Sequence, residues 1–165
     1  MSYVFDSSSL IYLGKLRILD KVAKLEGRKF IPDSVYKEVV VKGFERKEPE
    51  AKYIDELIKK KLFAVRKPKT AARDIPFLSK ADREVLALSK ETESTAIIDE
   101  LHASSIAEAQ GIESHGSIYM LLRLLEKKII SKKETVNYLD RMVGFGFYLS
   151  ADMYREVLNA IEKMK

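Results

Sequence analysis

Short β-prone runs alternate with helical patterns through the first 115 residues, and this alternation constrains the fold more than any other feature of the chain. Tyr3-Val4-Phe5, Lys29-Phe30-Ile31, Leu62-Phe63-Ala64-Val65, Thr95-Ala96-Ile97-Ile98 and a short run around Ile112 read as strands. Between them lie helical patterns. Leu10, Leu13, Leu16 and Leu19 make the first; Pro32-Asp33-Ser34 opens the next, with Val35 and Val39 on one face; another runs through Ile54, Leu57 and Ile58. Ser79 opens a helix with Val85, Leu86 and Leu88 on its core face, and a further one runs from Leu101 to Ala109 before Gly111 stops it. Such alternation predicts an α/β fold, a three-layer α/β/α arrangement with a mainly parallel central sheet covered on both faces. From Gly116 onward the pattern is helical only. Gly116-Ser117 starts a helix with Ile118, Leu121, Leu122 and Leu125, Ser131-Lys132-Lys133-Glu134 is a capping box for a second, and Gly144-Phe145-Gly146 separates that one from a last helix over Ser150 to Lys163. The expected organisation is one domain over 1–165, with a core over 1–115 and a helical extension over 116–165.

A chain of 165 residues can bury a sizeable core without disulfides or metal staples. Its 46% hydrophobic and 33% charged residues describe a globular protein, and Ile118 to Leu125, broken by Arg123, falls far short of a membrane span. The first strand-like run begins at once, without a basic segment and long apolar region, so a cytoplasmic location is expected. The absence of cysteine excludes thiolate nucleophiles and zinc–thiolate sites, and His102 and His115 alone make a poor structural zinc site.

Four acids fall where a strand hands over to a helix or one turn into that helix: Asp6, Glu38, Asp82 and Asp99. Each has an ordinary structural role to play. Asp6 can cap the first helix, Glu38 can lie on the margin of an amphipathic one, and Ser79-x-x-Asp82 matches a capping box. Asp99 directly follows a four-residue apolar strand, where a carboxylate is costly unless solvated, paired or metal-bound. Jointly the pattern says more, because the carboxyl ends of parallel strands share one edge of the sheet. Four carboxylates converging there would repel and raise one another's pKa unless a cation joined them. All-oxygen ligation suits Mg²⁺ or Mn²⁺ better than zinc, and the chemistry that follows is metal-assisted phosphodiester hydrolysis.

The net charge is +5, and between Leu57 and Arg73 seven bases occur without an acid: Lys59, Lys60, Lys61, Arg66, Lys67, Lys69 and Arg73. Such a field could hold a phosphate backbone, and it could equally be a solvated loop and helix end, since Lys59 to Lys61 also suit the C-terminus of a helix. No aromatic residue interleaves with these bases, so the run offers no stacking platform.

Five strings in order, Val4-Phe5-Asp6-Ser7-Ser8-Ser9-Leu10-Ile11, Pro32-x-x-Val35-x-x-Glu38, Leu78-Ser79-Lys80-Ala81-Asp82-Arg83-Glu84-Val85-Leu86-Ala87-Leu88, Ile97-Ile98-Asp99-Glu100 and Ala107-x-x-x-Gly111-Ile112, together resemble the PIN domain. The resemblance covers residues 1 to about 115, and the tail from Gly116 resembles the helical extension of some archaeal and bacterial members. It implies a metal-dependent endoribonuclease in which Asp6, Glu38, Asp82 and Asp99 bind Mg²⁺ or Mn²⁺, with Ser7 orienting the acids. Many members are VapC-type toxins of toxin–antitoxin pairs, so a small antitoxin protein is a partner the resemblance implies; others mature ribosomal RNA. Two positions depart from the family's pattern. Glu100 stands where a second aspartate is expected, its longer arm still able to reach a metal directly or through water, and Ser104 replaces a basic residue.

A haloacid-dehalogenase-type phosphatase would need an aspartate where Ser8 stands, and Gly144-x-Gly146 follows a helix and so is no dinucleotide fingerprint. The competing reading from another class is a PIN fold that holds RNA or protein without cutting. Tyr119, Met120, Phe145, Phe147, Tyr148 and Met153 give the tail more apolar residues than a small sheet edge needs, from which a homodimer is expected.

Overall fold

The computed structural model describes residues 1–70 and 74–165. Its contacts divide the chain into two compact units, Met1–Ser117 and Ile118–Lys165.

The first unit is built on five strands, β1 (Tyr3–Phe5), β2 (Lys29–Pro32), β3 (Ala64–Arg66), β4 (Thr95–Ile97) and β5 (Ser114–His115), in the order β3-β2-β1-β4-β5. Every pairing is parallel, with Val4 beside Phe30 on one side and beside Ala96 on the other. The central strands are buried on both faces, which is why they read as continuous apolar runs rather than alternating ones. Helices α1 (Ser7–Lys15), α2 (Leu19–Val22), α3 (Asp33–Tyr36), α4 (Lys42–Glu45) and α5 (Pro49–Lys59) connect the outward path from β1 to β3. Helices α6 (Lys80–Thr92) and α7 (Leu101–Ala109) serve the path from β3 through β4 to β5. Because parallel crossovers are right-handed, the two paths run in opposite directions from β1 and place their helices on opposite faces. The three-layer α/β/α architecture follows.

The leucine run of the first helix is divided. α1 ends at Lys15, Arg17 adopts φ 58°, and α2 restarts so that Leu10, Leu13, Leu16 and Leu19 all remain buried. α1 and α5 pack closely: a Cβ on Gly14 would lie 3.2 Å from Cβ of Glu50, and the buried Glu50 pairs with Lys15 at 3.5 Å. Lys29 is buried too, its ammonium donating to the carbonyls of Ala23, Leu25 and Gly27 at the end of α2. Burial lowers its pKa, and the carbonyl cluster replaces the water it loses.

Three strands sit a little away from their expected places. β3 begins at Ala64 because the Leu57 carbonyl accepts from Leu62 N–H past the C-terminal turn of α5, and Lys61 takes φ 62° there. β4 ends at Ile97. β5 is the polar pair Ser114–His115 rather than Ile112, since an edge strand needs only backbone groups to pair and Ile112 is used as a buried plug.

The second unit holds α8, which starts at Ser117 and runs to Glu126, α9 (Lys132–Gly144) and α10 (Ala151–Lys163). The capping box at Ser131 and Glu134 forms in both directions. Tyr154 donates to Asp140 Oδ1 at 2.6 Å and Lys132 Nζ to the Glu162 carbonyl at 2.8 Å, tying α9 to α10, while Leu139, Met142, Val157 and Ile161 are buried.

Candidate active site

The chain leaves β1 toward β2 on one side and reaches β4 on the other, so the crevice between the carboxyl ends of β1 and β4 is the topological switch point where α/β sheets bind ligands. Asp6 and Asp99 flank it. Asp6 follows β1 directly and caps α1, its Oδ1 accepting from Ser9 N–H at 2.8 Å. Its Oδ2 accepts from Asp99 N–H at 3.1 Å, so one carboxyl group spans the crevice. Ser9, wholly buried, donates to the carbonyl of Asp6 and lies 3.3 Å from that of Ile97.

Asp99 is held from its other side. Ser117, also wholly buried, donates through its backbone N–H to Oδ1 at 2.7 Å and through Oγ to Oδ2 at 2.5 Å. The approach needs a glycine next door, because a Cβ on Gly116 would stand 2.9 Å from Asp99 Oδ1. Neither Gly116 nor Ser117 announces this role in the sequence, where they read only as a helix start.

Glu38 lies in a π-helical turn, Lys37–Val41, inserted between α3 and α4. A π turn adds a residue to the helical repeat and is often found at functional sites. Ser7 donates to Glu38 Oε2 at 2.9 Å, linking the start of α1 to this turn. The segment is anchored by Glu84, a buried carboxylate of α6 that accepts from both the backbone N–H and the hydroxyl of Ser34. Sequence reasoning missed Glu84, although a signal exists: it shares the apolar stripe of Ala81, Val85 and Leu88, where an unpartnered carboxylate would be costly. Asp82 sits in the first turn of α6, its N–H donating to the cap Ser79 at 3.1 Å. Glu100 caps α7, accepting from His102 N–H at 2.9 Å and Ala103 N–H at 2.6 Å.

Burial pushes Asp6, Asp82 and Asp99 toward neutrality. Asp6 is raised to about 7, first by desolvation and further by the charge of Asp99, against the pull of the Ser9 bonds. Asp82 is raised by desolvation and by Glu100 and Glu38, while desolvation raises Asp99 against the two bonds from Ser117. These causes link Asp6 with Asp99, and Asp82 with Glu38 and Glu100. Among the described residues no Lys, Arg or His forms an ion pair with any of the five. The donor set, all carboxylate oxygen and uncompensated, fits a hard divalent cation in kind. Among the described residues, however, no three acidic or histidine side chains come together as a ready metal cage.

Among the described residues the basic run is divided by a strand. β3 lies in its middle, so Lys59, Lys60 and Lys61 precede the strand, at the sheet edge away from the acids, and Lys59 is paired with Asp55 at 2.9 Å. Arg66 follows at the carboxyl end but lies over the Phe30 ring at 4.7 Å, with Arg28 on the same ring at 4.9 Å. Lys67 is exposed beside it, and Lys69 N–H donates to Glu91, about two and a half turns along α6 from Asp82. Arg73 lies outside the described residues. Neither histidine joins the acids: His115 contacts Glu113 at 3.0 Å, and His102 lies 3.5 Å from the Pro76 carbonyl.

A parallel five-stranded sheet with Asp6 and Asp99 at its switch point defines an α/β/α domain with its candidate site at the crevice such sheets use. The sequence matches the PIN domain family DUF3368 over residues 2–163, and the chain belongs to that family. PIN domains are in general nucleases. A PilT N-terminus domain protein of the hyperthermophilic archaeon Sulfolobus solfataricus has the same fold, with a TM-score of 0.58 and 16% identity over 76% of this chain and 95% of that one. A domain of a functionally unknown protein from Methanocaldococcus jannaschii aligns with a TM-score of 0.47 and 19% identity, over 70% of this chain and 89% of that one. No curated protein matches the sequence. No helix among the described residues is long and apolar enough to cross a membrane.

Proposed function

We propose that the protein is a metal-dependent endoribonuclease that hydrolyses phosphodiester bonds. The observation that carries this reading is the Asp6–Asp99 pair, two acids with raised pKa and no cationic partner among the described residues, joined across the switch point of a PIN fold. Asp6, Asp99, Asp82 and Glu38 would hold Mg²⁺ or Mn²⁺, with Glu100 in reserve behind its capping bonds. Such a cation supplies charge to offset that of the scissile phosphate and acidity to a coordinated water. Ser9 and Ser117 hold the two aspartates in place, and Ser7 donates to Glu38. The products expected are a 5′-phosphate and a 3′-hydroxyl, because a route through a 2′,3′-cyclic phosphate calls for two imidazoles facing one bond, and His102 and His115 have separate partners. Family membership supports, as part of the same proposal, a role as the toxin of a toxin–antitoxin pair with a small antitoxin as partner.

Incubating end-labelled RNA with Mn²⁺, with EDTA and with the Asp99→Asn variant tests the reading. Cleavage in the first arm alone is expected; equal cleavage in all three would point to another enzyme. One observation favours the second reading, a PIN fold that binds without cutting: among the described residues no three acids are gathered into a cage. Binding of RNA without cleavage under either metal would decide for it.

A further inference from the structure

Ile75, Pro76, Phe77 and Leu78 form a β-turn closed by Leu78 N–H donating to the Ile75 carbonyl at 3.2 Å. Proline fixes the first central residue at negative φ and Phe77 follows at φ 66°, the pattern of a type II turn, whose second central position favours glycine. A bulky side chain there is a backbone outlier, and outliers of this kind concentrate at functional sites. The ring does nothing for the core: Phe77 is 95% exposed, while its neighbour Leu78 takes the buried place. The turn leads into Ser79, the cap of the helix that carries Asp82, and its Pro76 carbonyl lies 3.5 Å from His102 in the first turn of α7. Leu101, which opens that helix directly after Asp99 and Glu100, is 80% exposed. Lys80, also exposed, stands between the turn and Asp82.

We infer that Phe77 and Leu101 form an apolar seat for an unstacked base of a single-stranded polynucleotide at the rim of the acidic site. The inference rests on the nuclease reading and names its substrate class. Two exposed apolar side chains, flanked along the chain by Asp74, Ser79, Lys80 and Glu100, are far too small for a protein interface, which needs about 800 Å² from each partner. They are the right size for one base, whose π-face any single strand can offer and a duplex cannot. With the base seated there, the adjoining phosphate is carried toward Asp82 and Asp99, and Lys80 is the cation at hand for the backbone.

The chain contains no tryptophan, so Phe77→Trp installs a single fluorophore at the seat. In EDTA, single-stranded RNA and DNA should both quench its emission and duplex RNA should not. Phe77→Gly relieves the left-handed strain, so its melting temperature should equal or exceed that of the parent while its affinity for single strands falls roughly tenfold. Phe77→Trp should keep the parent's affinity. Unchanged affinity in Phe77→Gly, or emission that no single strand alters, overturns the inference and leaves a protein partner as the occupant; equal quenching by duplex overturns it as well. Cleavage plays no part in these readouts. A protein that binds and quenches but never cuts with Mn²⁺ would sink the nuclease reading and leave the stacking seat standing.

Discussion

Ser117 grips both carboxylate oxygens of Asp99, one through its backbone N–H at 2.7 Å and the other through its hydroxyl at 2.5 Å. The same aspartate donates its own N–H to Asp6. Removing the hydroxyl in Ser117→Ala should therefore cost about 1.5–3 kcal/mol of stability, the usual loss for a bond to a charged acceptor. Gly116→Ala acts differently: its new Cβ would stand 2.9 Å from Asp99 Oδ1 and must turn the carboxylate away. Cleavage by Gly116→Ala should fall by about tenfold or more, since small displacements of a positioned group cost that much. Assays of RNA cleavage beside thermal melts would show the two effects apart, and an active Gly116→Ala enzyme would remove Asp99 from the site.

Glu84 carries a second consequence. It accepts two hydrogen bonds from Ser34 and so fixes the start of α3, one turn ahead of Glu38. In Glu84→Ala both donors lose their acceptor in a part-buried place, and a loss of about 2–3 kcal/mol is expected in denaturant unfolding. Ser34→Ala should cost less, because the backbone bond survives. Equal losses in the two variants would mean that the carboxylate serves some contact other than Ser34.

What the sequence made legible here is what depends on local pattern. Apolar runs ending in Asp6 and Asp99 located two strands and their acids, and Ser79, Ser131 and Ser150 marked helix starts that the structure shows as caps. The π turn at Lys37–Val41 was hidden because Val39, Val40 and Val41 satisfy more than one helical period. The grip of Ser117 on Asp99 spans 18 residues and depends on a close approach at Gly116, which no periodicity encodes. The spacing of the basic run in space was not legible, because adjacency in sequence across a strand becomes separation: Lys59 lies before β3 and Arg66 at its carboxyl end.

Homodimer formation is proposed from the second unit. Of the apolar residues that suggested it, Met120 is wholly buried, whereas Phe145, Tyr148 and Met153 are exposed, Tyr148 to 87%. Exposed aromatics of this size are typical of association surfaces. Light scattering at micromolar concentration should give twice the chain mass of 18.9 kDa, and Tyr148→Lys with Met153→Lys should reduce it to one. A monomeric mass for the parent chain would end the proposal.

The raised pKa of Asp6 sets how stability depends on pH and metal. Its ordinary value is 3.8 and its folded value about 7, so the native state holds the proton more tightly than the unfolded chain does. Stability from this group is complete below pH 4 and is lost as pH rises toward and through 7, because the buried carboxylate must then ionise beside Asp99. Asp82 and Asp99 are shifted in the same direction and add to the trend. With EDTA present, melting temperature should decline between pH 5 and pH 8, and Asp6→Asn should flatten that decline. A divalent cation held as proposed would bind the ionised acids and compete with their protons, so millimolar Mg²⁺ should raise the melting temperature more at pH 8 than at pH 5. In Asp6→Asn the difference between the two pH values should shrink. A shift equal at both pH values in the parent chain would mean that the cation binds somewhere other than these carboxylates.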